Sequence, residues 1–200
     1  MTAATGGAYP ASLTIDSPEK IANWRPLVHW LLAIPHFVVA YLLNIVAEVV
    51  GLLSWLLILF TGKDNEGFQG LRMMSMRYQA RMFAYVTFLV EDYPPFAFHQ
   101  SAADPGEYAG VRLDVTPALE DRNRLTTLLR IFMVIPHVIV LAVLGVAAFV
   151  CVLISAVAVL ITGRWPEGLR TFVVNVMRWS VRVNAYFMLL TDEYPPFTLD

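Results

Sequence analysis

Four arginines have the clearest capacity for chemistry in this chain. They form two pairs with a spacing of four, Arg77 with Arg81 and Arg178 with Arg182. On a helix, residues four apart lie on one face, and Asn175 adds an amide to the face of the second pair. Because a guanidinium group binds phosphate or carboxylate through a planar fork of N–H donors, these faces are suited to hold an anionic group.

The acidic residues near these arginines are few. An unpaired arginine in the middle of a membrane helix costs at least about 2.5–3.5 kcal/mol on insertion scales. Glu48 is the only carboxylate within a first apolar segment, and the other nearby acids lie at helix ends: Glu91, Asp92, Asp192 and Glu193. We therefore expect the arginines to lack a full set of internal counter-charges and to bind an anionic lipid headgroup or the carboxylates of a partner subunit. Snorkelling toward the headgroups, or pairing inside the protein, is the alternative.

Two histidines, His36 and His137, each follow a proline at matching places in the chain. Such a pair suits axial ligation of a haem or a proton relay, and the alternative is an interfacial histidine that caps carbonyls freed by the proline. Glu48, Tyr85 and Tyr186 are further candidate ligand-binding residues. The sequence contains no nucleophile–base pair, glycine-rich phosphate loop or metal-ligand spacing, so we predict no catalytic residue, no metal and no cofactor.

The composition indicates a membrane protein. Of the 200 residues, 58% are hydrophobic and 15% are charged, and the mean hydropathy is +0.60. Residues 131–161 contain no Asp, Glu, Lys or Arg, and such a run is typical of a transmembrane helix. The formal net charge of -2 gives no indication of a nucleic-acid partner. The single cysteine, Cys151, excludes an intramolecular disulfide.

The chain contains the same pattern twice, at an offset of 101 residues. The offset aligns short motifs in the two copies: Ile-Pro-His from 34 and 135, Thr-Gly from 61 and 162, Ala-Tyr from 84 and 185, and Tyr-Pro-Pro-Phe from 93 and 194. The pattern predicts a flexible N-terminus at 1–8, a first repeat at 9–100, a linker at 101–109 and a second repeat at 110–200.

Each copy predicts the same order of elements. An alternating segment predicts a strand. The Ser-Pro or Thr-Pro pair that follows it predicts the start of a helix in the membrane interface, and Pro35 or Pro136 predicts the end of that helix. Two segments long enough to span follow, and the Tyr-Pro-Pro-Phe motif predicts another strand. The predicted interfacial helices are 18–34 and 117–135, and the predicted spans are 37–60, 68–90, 138–161 and 169–191. The sequence thus predicts an all-α membrane protein with four spans, interfacial helices and a small β-sheet on the side of the termini.

The order of these motifs resembles a family of bacterial membrane proteins that is known as a domain of unknown function. The resemblance rests on Ile-Pro-His, Thr-Gly-Lys/Arg, Arg-x-x-x-Arg, Ala-Tyr and Tyr-Pro-Pro-Phe, each of which occurs in both copies. It covers nearly everything after Tyr9 and implies a chain with two tandem copies. The resemblance brings no activity, substrate or site residues with it.

For function, we expect a non-enzymatic accessory or scaffold protein that binds anionic lipid or a larger membrane complex through its arginine stripes. A small carrier or channel for anions or lipids, with the arginines lining its path, is one alternative. A haem-binding subunit of a membrane redox complex is another. No signal peptide is visible, and we expect a multi-pass protein of the bacterial inner membrane with cytoplasmic termini.

Overall fold

The computed structural model describes residues 9–199, so the predicted flexible N-terminus lies outside the described residues. This part of the chain is mostly helical and contains one small sheet, as the sequence predicted. Its elements, in order, are β1 (Ala11–Ile15), α1 (Arg25–Leu32), α2 (Ile34–Thr61), α3 (Glu66–Val86), β2 (Val111–Val115), α4 (Arg124–Thr162) and α5 (Glu167–Phe187).

Two of the described helices, α2 and α4, are long and apolar enough to cross a membrane by length and composition. The structure does not support the prediction of four spans, because α3 and α5 fail the same criterion. Both α3 and α5 are long enough, but each carries arginines within an amphipathic sequence. Helix length alone therefore overestimated the number of spans. Both long helices end at a glycine in the left-handed conformation, Gly62 and Gly163, as expected of a helix C-terminus.

The two prolines have different effects on the helices. In the first repeat the chain breaks at Ala33, so α1 is shorter than the predicted interfacial helix 18–34. In the second repeat the helix continues through Pro136, so the predicted separate helix 117–135 is wrong. A tyrosine hydroxyl compensates for the disturbed ladder near each proline. Tyr93 donates to the carbonyl of Leu32 at 3.2 Å, and Tyr194 donates to that of Met133 at 3.1 Å.

The α1–α2 unit and α4 lie antiparallel to each other. At one end, Asn23 donates to the carbonyl of Leu160 near the end of α4. At the other end, the Trp55 indole donates to the carbonyl of Thr127 near the start of α4, at 3.0 Å. The two repeats are therefore related by an approximate two-fold axis that is perpendicular to the long helices.

The two short strands lie on this axis. β1 and β2 pair antiparallel with Leu13 opposite Leu113, and both strands occur where the sequence predicted them. Among the described residues the sheet has two strands rather than four, because the segments at both Tyr-Pro-Pro-Phe motifs are not strands. Proline cannot donate to a sheet ladder, and the aromatic rings of the motif pack on helices instead.

The described residues form three layers. The outer layer on one side is α2 and α4, the inner layer is α3 and α5, and the sheet covers the far side of the inner layer. Helix α3 packs along α2 and against β2, and α5 packs along α4 and against β1. As a result α3 is buried along almost its whole length.

Helices α2 and α4 are each buried on one face and exposed on the other. Most buried positions of α2 are small or polar, and they recur every three to seven residues: His36, Ala40, Ala47, Val50, Ser54 and Ile58. Apart from Glu48, its exposed face is mainly apolar: Ile34, Phe37, Val38, Tyr41, Leu42, Ile45, Val46, Val49, Leu52, Leu53, Leu56 and Phe60. The matching face of α4 extends from Leu125 to Ile161 with the same character. We call these two faces together the apolar face.

At two matching places the repeats contact each other through different chemistry. At one, Asp64 forms ion pairs with Arg72 and Arg122, and none of the three side chains is exposed. At the offset of 101 residues, their counterparts are Trp165, Val173 and Ile21, which pack together in one hydrophobic cluster.

This difference predicts a compensating set of substitutions. We expect Asp64→Asn to lower the free energy of unfolding by about 3–5 kcal/mol, because it leaves Arg72 as a buried charge without its carboxylate. Combining Asp64→Trp, Arg72→Val and Arg122→Ile copies the apolar contact, and it should recover most of that loss. Chemical unfolding in detergent micelles measures both effects.

The control is Glu120→Gln, because Glu120 pairs only with Lys63 and both side chains are more than 60% exposed. It should change the free energy of unfolding by less than about 1 kcal/mol. If Asp64→Asn is as mild as this control, the buried ion pair does not join the repeats.

Candidate functional site

The first arginine pair binds a carboxylate of its own chain. Asp104 lies 3.3 Å from Nε of Arg77 and 2.8 Å from Nη2 of Arg81, and its side chain is fully buried. The same carboxylate accepts hydrogen bonds from the backbone N–H groups of Leu113 and Gly106. The expectation that this pair lacks an internal counter-charge is therefore wrong.

The segment that carries Asp104 lies across the face of α3. Arg77 donates to the backbone carbonyls of His99, Ser101 and Ala102, at 3.0–3.3 Å. Asp104 is part of the predicted linker 101–109, which sequence reasoning treated as a spacer. The sequence did offer one indication of this pairing. Asp104 lies just before β2, and a segment that returns from a helix to a strand can bring an acidic residue back to that helix.

The second arginine pair has a different set of partners. Arg178 donates from Nε to the carbonyl of Leu13 and from Nη1 to the amide oxygen of Asn175, at 3.2 and 3.1 Å. Asn175 in turn donates to the carbonyl of Leu199, and Arg182 donates to that of Thr198. Within residues 9–199, Arg178 forms no ion pair.

A polar pocket of about 290 Å³ opens beside Arg178. It lies between the end of β1 and the N-terminal half of α5, on the side of the inner layer that faces the sheet. Its lining comprises Ile15, Asp16, Ser17, Arg170, Thr171, Val174, Asn175 and Arg178. We call it the α5 pocket. It brings together two of the predicted ligand-binding residues, Asn175 and Arg178, with Arg170, which the sequence analysis did not single out.

The two candidate histidines are enclosed by aromatic rings of their own repeats. His36 stacks on Phe96 with ring centres 4.3 Å apart, and its Nδ1 lies 2.6 Å from the hydroxyl oxygen of Tyr78. His137 stacks on Phe197 at 3.8 Å, and its Nδ1 accepts a hydrogen bond from the indole N–H of Trp179. The stacking explains why Ile-Pro-His and Tyr-Pro-Pro-Phe occur together in each copy. It also means that each histidine is held in a separate aromatic environment.

The candidate tyrosines also have structural partners. Tyr85 stacks on His29, which donates from Nδ1 to the carbonyl of Tyr85 at 2.7 Å. At the matching place, the guanidinium group of Arg130 lies 4.3 Å from the ring centre of Tyr186 and donates to its carbonyl. Both tyrosine rings are fully buried in the inner layer.

Glu48 is the carboxylate among the predicted ligand-binding residues, and it lies away from the arginine pairs. It is exposed on α2 and accepts a hydrogen bond from Asn44, which in turn accepts one from Gln79. It lines an apolar gap of about 380 Å³ that also reaches Arg130. Glu48 therefore belongs to a polar chain across α2 and α3 and not to the α5 pocket.

Asp192 is a carboxylate that binds two arginines of the fold, and the sequence did not predict these partners. It accepts hydrogen bonds from Arg122 at 2.7 Å and from Arg130 at 2.6 Å. Burial acts to raise the pKa of Asp192, but the hydrogen bonds and charges of the two arginines outweigh it, so the pKa lies below its usual range.

The Asp104 ion pairs generate one prediction. Asp104→Asn leaves two buried guanidinium groups without a carboxylate, so it should lower the free energy of unfolding by about 3–5 kcal/mol. The control is Glu107→Gln, because Glu107 pairs only with His99 and both side chains are more than 40% exposed. Unfolding followed by tryptophan fluorescence compares the two variants, and equal effects would contradict a structural role for Asp104.

The lowered pKa of Asp192 gives a prediction about pH. A carboxyl group with a lowered folded pKa stabilises the protein above its unfolded pKa of about 3.9, and it loses that contribution as the pH falls through the folded value. We therefore expect Asp192→Asn to be less stable than the wild type at about pH 6. The difference should shrink as the pH approaches about 2, in melting temperatures measured across this range. A difference that is independent of pH would show that the carboxylate is not stabilised by its arginines.

Two findings on similarity follow this geometry. The sequence model of a family described as a domain of unknown function, DUF4389, matches residues 23–97 and 124–198. No curated protein and no solved structure is detectably similar to the chain. The matched regions cover three quarters of the chain and correspond to the two repeats, which confirms the resemblance that the motifs predicted. The chain therefore belongs to the DUF4389 family and carries two tandem copies of its domain.

Proposed function

We propose that this protein is a non-enzymatic accessory protein that embeds its apolar face in one leaflet of a membrane and presents its sheet side to a partner in water. The observation that carries the proposal is the division of the fold into two sides. Large apolar side chains line the exposed face of α2 and α4, while exposed acids, amides and hydroxyls surround the sheet. An exposed apolar surface of this extent is typical of a membrane or protein contact.

The position of the sheet supports an orientation parallel to the membrane. Arg77, in the middle of α3, donates to the carbonyl of Leu113 at the centre of β2. Arg178, in the middle of α5, donates to the carbonyl of Leu13 at the centre of β1. If these helices stood upright, the two open edges of the sheet and the Asp104 segment would lie at the bilayer centre. Unpaired backbone groups cost several kcal/mol each there.

The length of α4 supports the same orientation. Its 39 residues extend about 58 Å, against about 30 Å of hydrocarbon. Its exposed apolar face continues along this whole length, whereas an upright helix would need polar side chains where it leaves the hydrocarbon. A helix that lies in the plane of the membrane meets the same environment throughout.

This orientation changes the proposed role of the arginines. They point toward the sheet and away from the apolar face, so the headgroup of a lipid beneath the protein is a poor ligand for them. We propose instead that Arg77 and Arg81 hold the sheet side together, and that the second pair lies where a partner docks. The bacterial inner membrane, with cytoplasmic termini, stays our prediction for the location, and the proposed orientation replaces the multi-pass topology that the sequence predicted.

A depth profile along α2 tests the proposed function. Single cysteines replace Val38, Ile45, Leu52 and Phe60 on its apolar face, in a background with Cys151→Ala, and each carries a fluorescent label in lipid vesicles. If α2 lies in the plane, quenchers at a fixed bilayer depth should act almost equally on all four labels. A label on Glu107, which is exposed in the segment before β2, serves as a water-exposed control.

The opposite result has a clear form. An upright α2 would give strong quenching by deep quenchers for the central labels and weak quenching for the two end labels. Equal accessibility of all four labels to a water-soluble quencher would instead show that the apolar face is not in lipid at all.

A further inference from the structure

The α5 pocket lies, in the second repeat, at the place that corresponds to the surroundings of Arg77 in the first repeat. At the offset of 101 residues, Arg178 corresponds to Arg77. Arg77 is enclosed by its own segment 99–104, which supplies three carbonyls and the carboxylate of Asp104. Arg178 has a pocket of about 290 Å³ at its side instead.

The first repeat has a glycine where its segment approaches the helix. A Cβ on Gly70 would lie only 2.9 Å from the backbone oxygen of Gln100, so only glycine fits beneath the segment. The counterpart of Gly70 in the second repeat is Thr171, which lines the pocket. A backbone therefore cannot lie equally close to α5, and the pocket admits a smaller group that reaches in from outside.

The other exchanges add polar groups to the α5 pocket. Arg170 replaces Gln69, and Asn175 replaces Met74, at the same offset. The amide oxygen of Asn175 accepts a hydrogen bond from Nη1 of Arg178, with 3.1 Å between the two atoms. This bond fixes the orientation of the guanidinium plane. Among residues 9–199, Arg178 donates hydrogen bonds from Nε to Leu13 and from Nη1 to Asn175. The buried hydroxyl of Ser17 has no hydrogen-bond partner among the same residues.

We propose that the α5 pocket binds a single carboxylate, the side chain of an aspartate or glutamate on a partner protein. The inference rests on the proposed function, because it needs a partner on the sheet side. Asp104 shows the chemistry, since it is the group that this protein itself brings to the matching arginine. Arg178 and Arg170 supply two positive charges, and the hydroxyls of Thr171 and Ser17 supply further donors.

Asp16 decides between a carboxylate and a phosphate. It lies in the same pocket and is exposed, so its negative charge opposes any anion that enters. With Arg170 and Arg178 it leaves the pocket a net charge of about +1, which one carboxylate neutralises. A phosphate monoester carries nearly two negative charges and would leave an excess of negative charge in the pocket.

The test uses the full chain in detergent micelles and follows the arginine side-chain N–H signals by nuclear magnetic resonance. The probe is N-acetyl-aspartate methylamide, with N-acetyl-asparagine methylamide and inorganic phosphate for comparison. We expect the Nε–H signal of Arg178 to shift and saturate with the aspartate probe, and not with the asparagine probe.

Three variants locate the binding site. Arg178→Gln and Arg170→Gln should each weaken binding of the aspartate probe about tenfold or more, as for a lost charged hydrogen bond. Arg170 lines the pocket, and its side chain forms no hydrogen bond or ion pair with residues 9–199, so this variant keeps the test valid if Arg178→Gln unfolds. Arg164→Gln removes an exposed charge outside the pocket and should leave the affinity unchanged.

Three outcomes overturn the inference. Tighter binding of inorganic phosphate at Arg178 would make the ligand a phosphoryl group, such as a lipid headgroup. If Arg164→Gln weakens binding of the aspartate probe as much as the pocket variants do, the binding is general charge attraction and not a site. If no probe shifts the Arg178 signal in a saturable way, the pocket binds no anion. Binding of the aspartate probe together with an upright depth profile for α2 would overturn only the membrane part of the proposed function.

Discussion

The fold depends on the need to enclose charged guanidinium groups within the inner layer. Helices α3 and α5 are covered by apolar helices on one side, so the partners of their arginines must come from the other side. Asp104 and the carbonyls of Leu13 and Leu113 supply those partners from the sheet and its flanking segment. The sheet is thus held against the middle of both helices. This contact sets the polar side of the protein opposite its apolar face.

Duplication explains the symmetry of the fold, and a few substitutions explain where the symmetry fails. Both copies keep the proline, the histidine and the aromatic ring that stacks on it. The contacts between copies differ, since one is the Asp64 ion-pair cluster and the other is the apolar cluster around Trp165. A chain with two identical contacts could pair its copies with those of a second chain as well as with each other. The different chemistry at the two contacts favours pairing within one chain.

The sequence predicted the elements that depend on local chemistry. Alternating residues located β1 and β2, uncharged apolar runs located α2 and α4, and the offset of 101 residues located the repeats. It did not predict contacts between distant segments. Helix α4 continues through Pro136, where the hydroxyl of Tyr194, 58 residues further along, donates a hydrogen bond to the carbonyl of Met133. The counter-charge of Arg77 is Asp104, in a loop 27 residues away. The number of spans was overestimated for the same reason, because α3 and α5 are inner-layer helices only in the context of the sheet.

The central claim is that the helices lie in the plane of the membrane. Polarised infrared spectroscopy of the full chain in aligned bilayers tests it most directly, because the amide I transition of a helix lies close to the helix axis. The account predicts that the helical band absorbs most strongly when light is polarised in the membrane plane. Stronger absorption along the bilayer normal would mean that the long helices stand upright, and it would contradict the account.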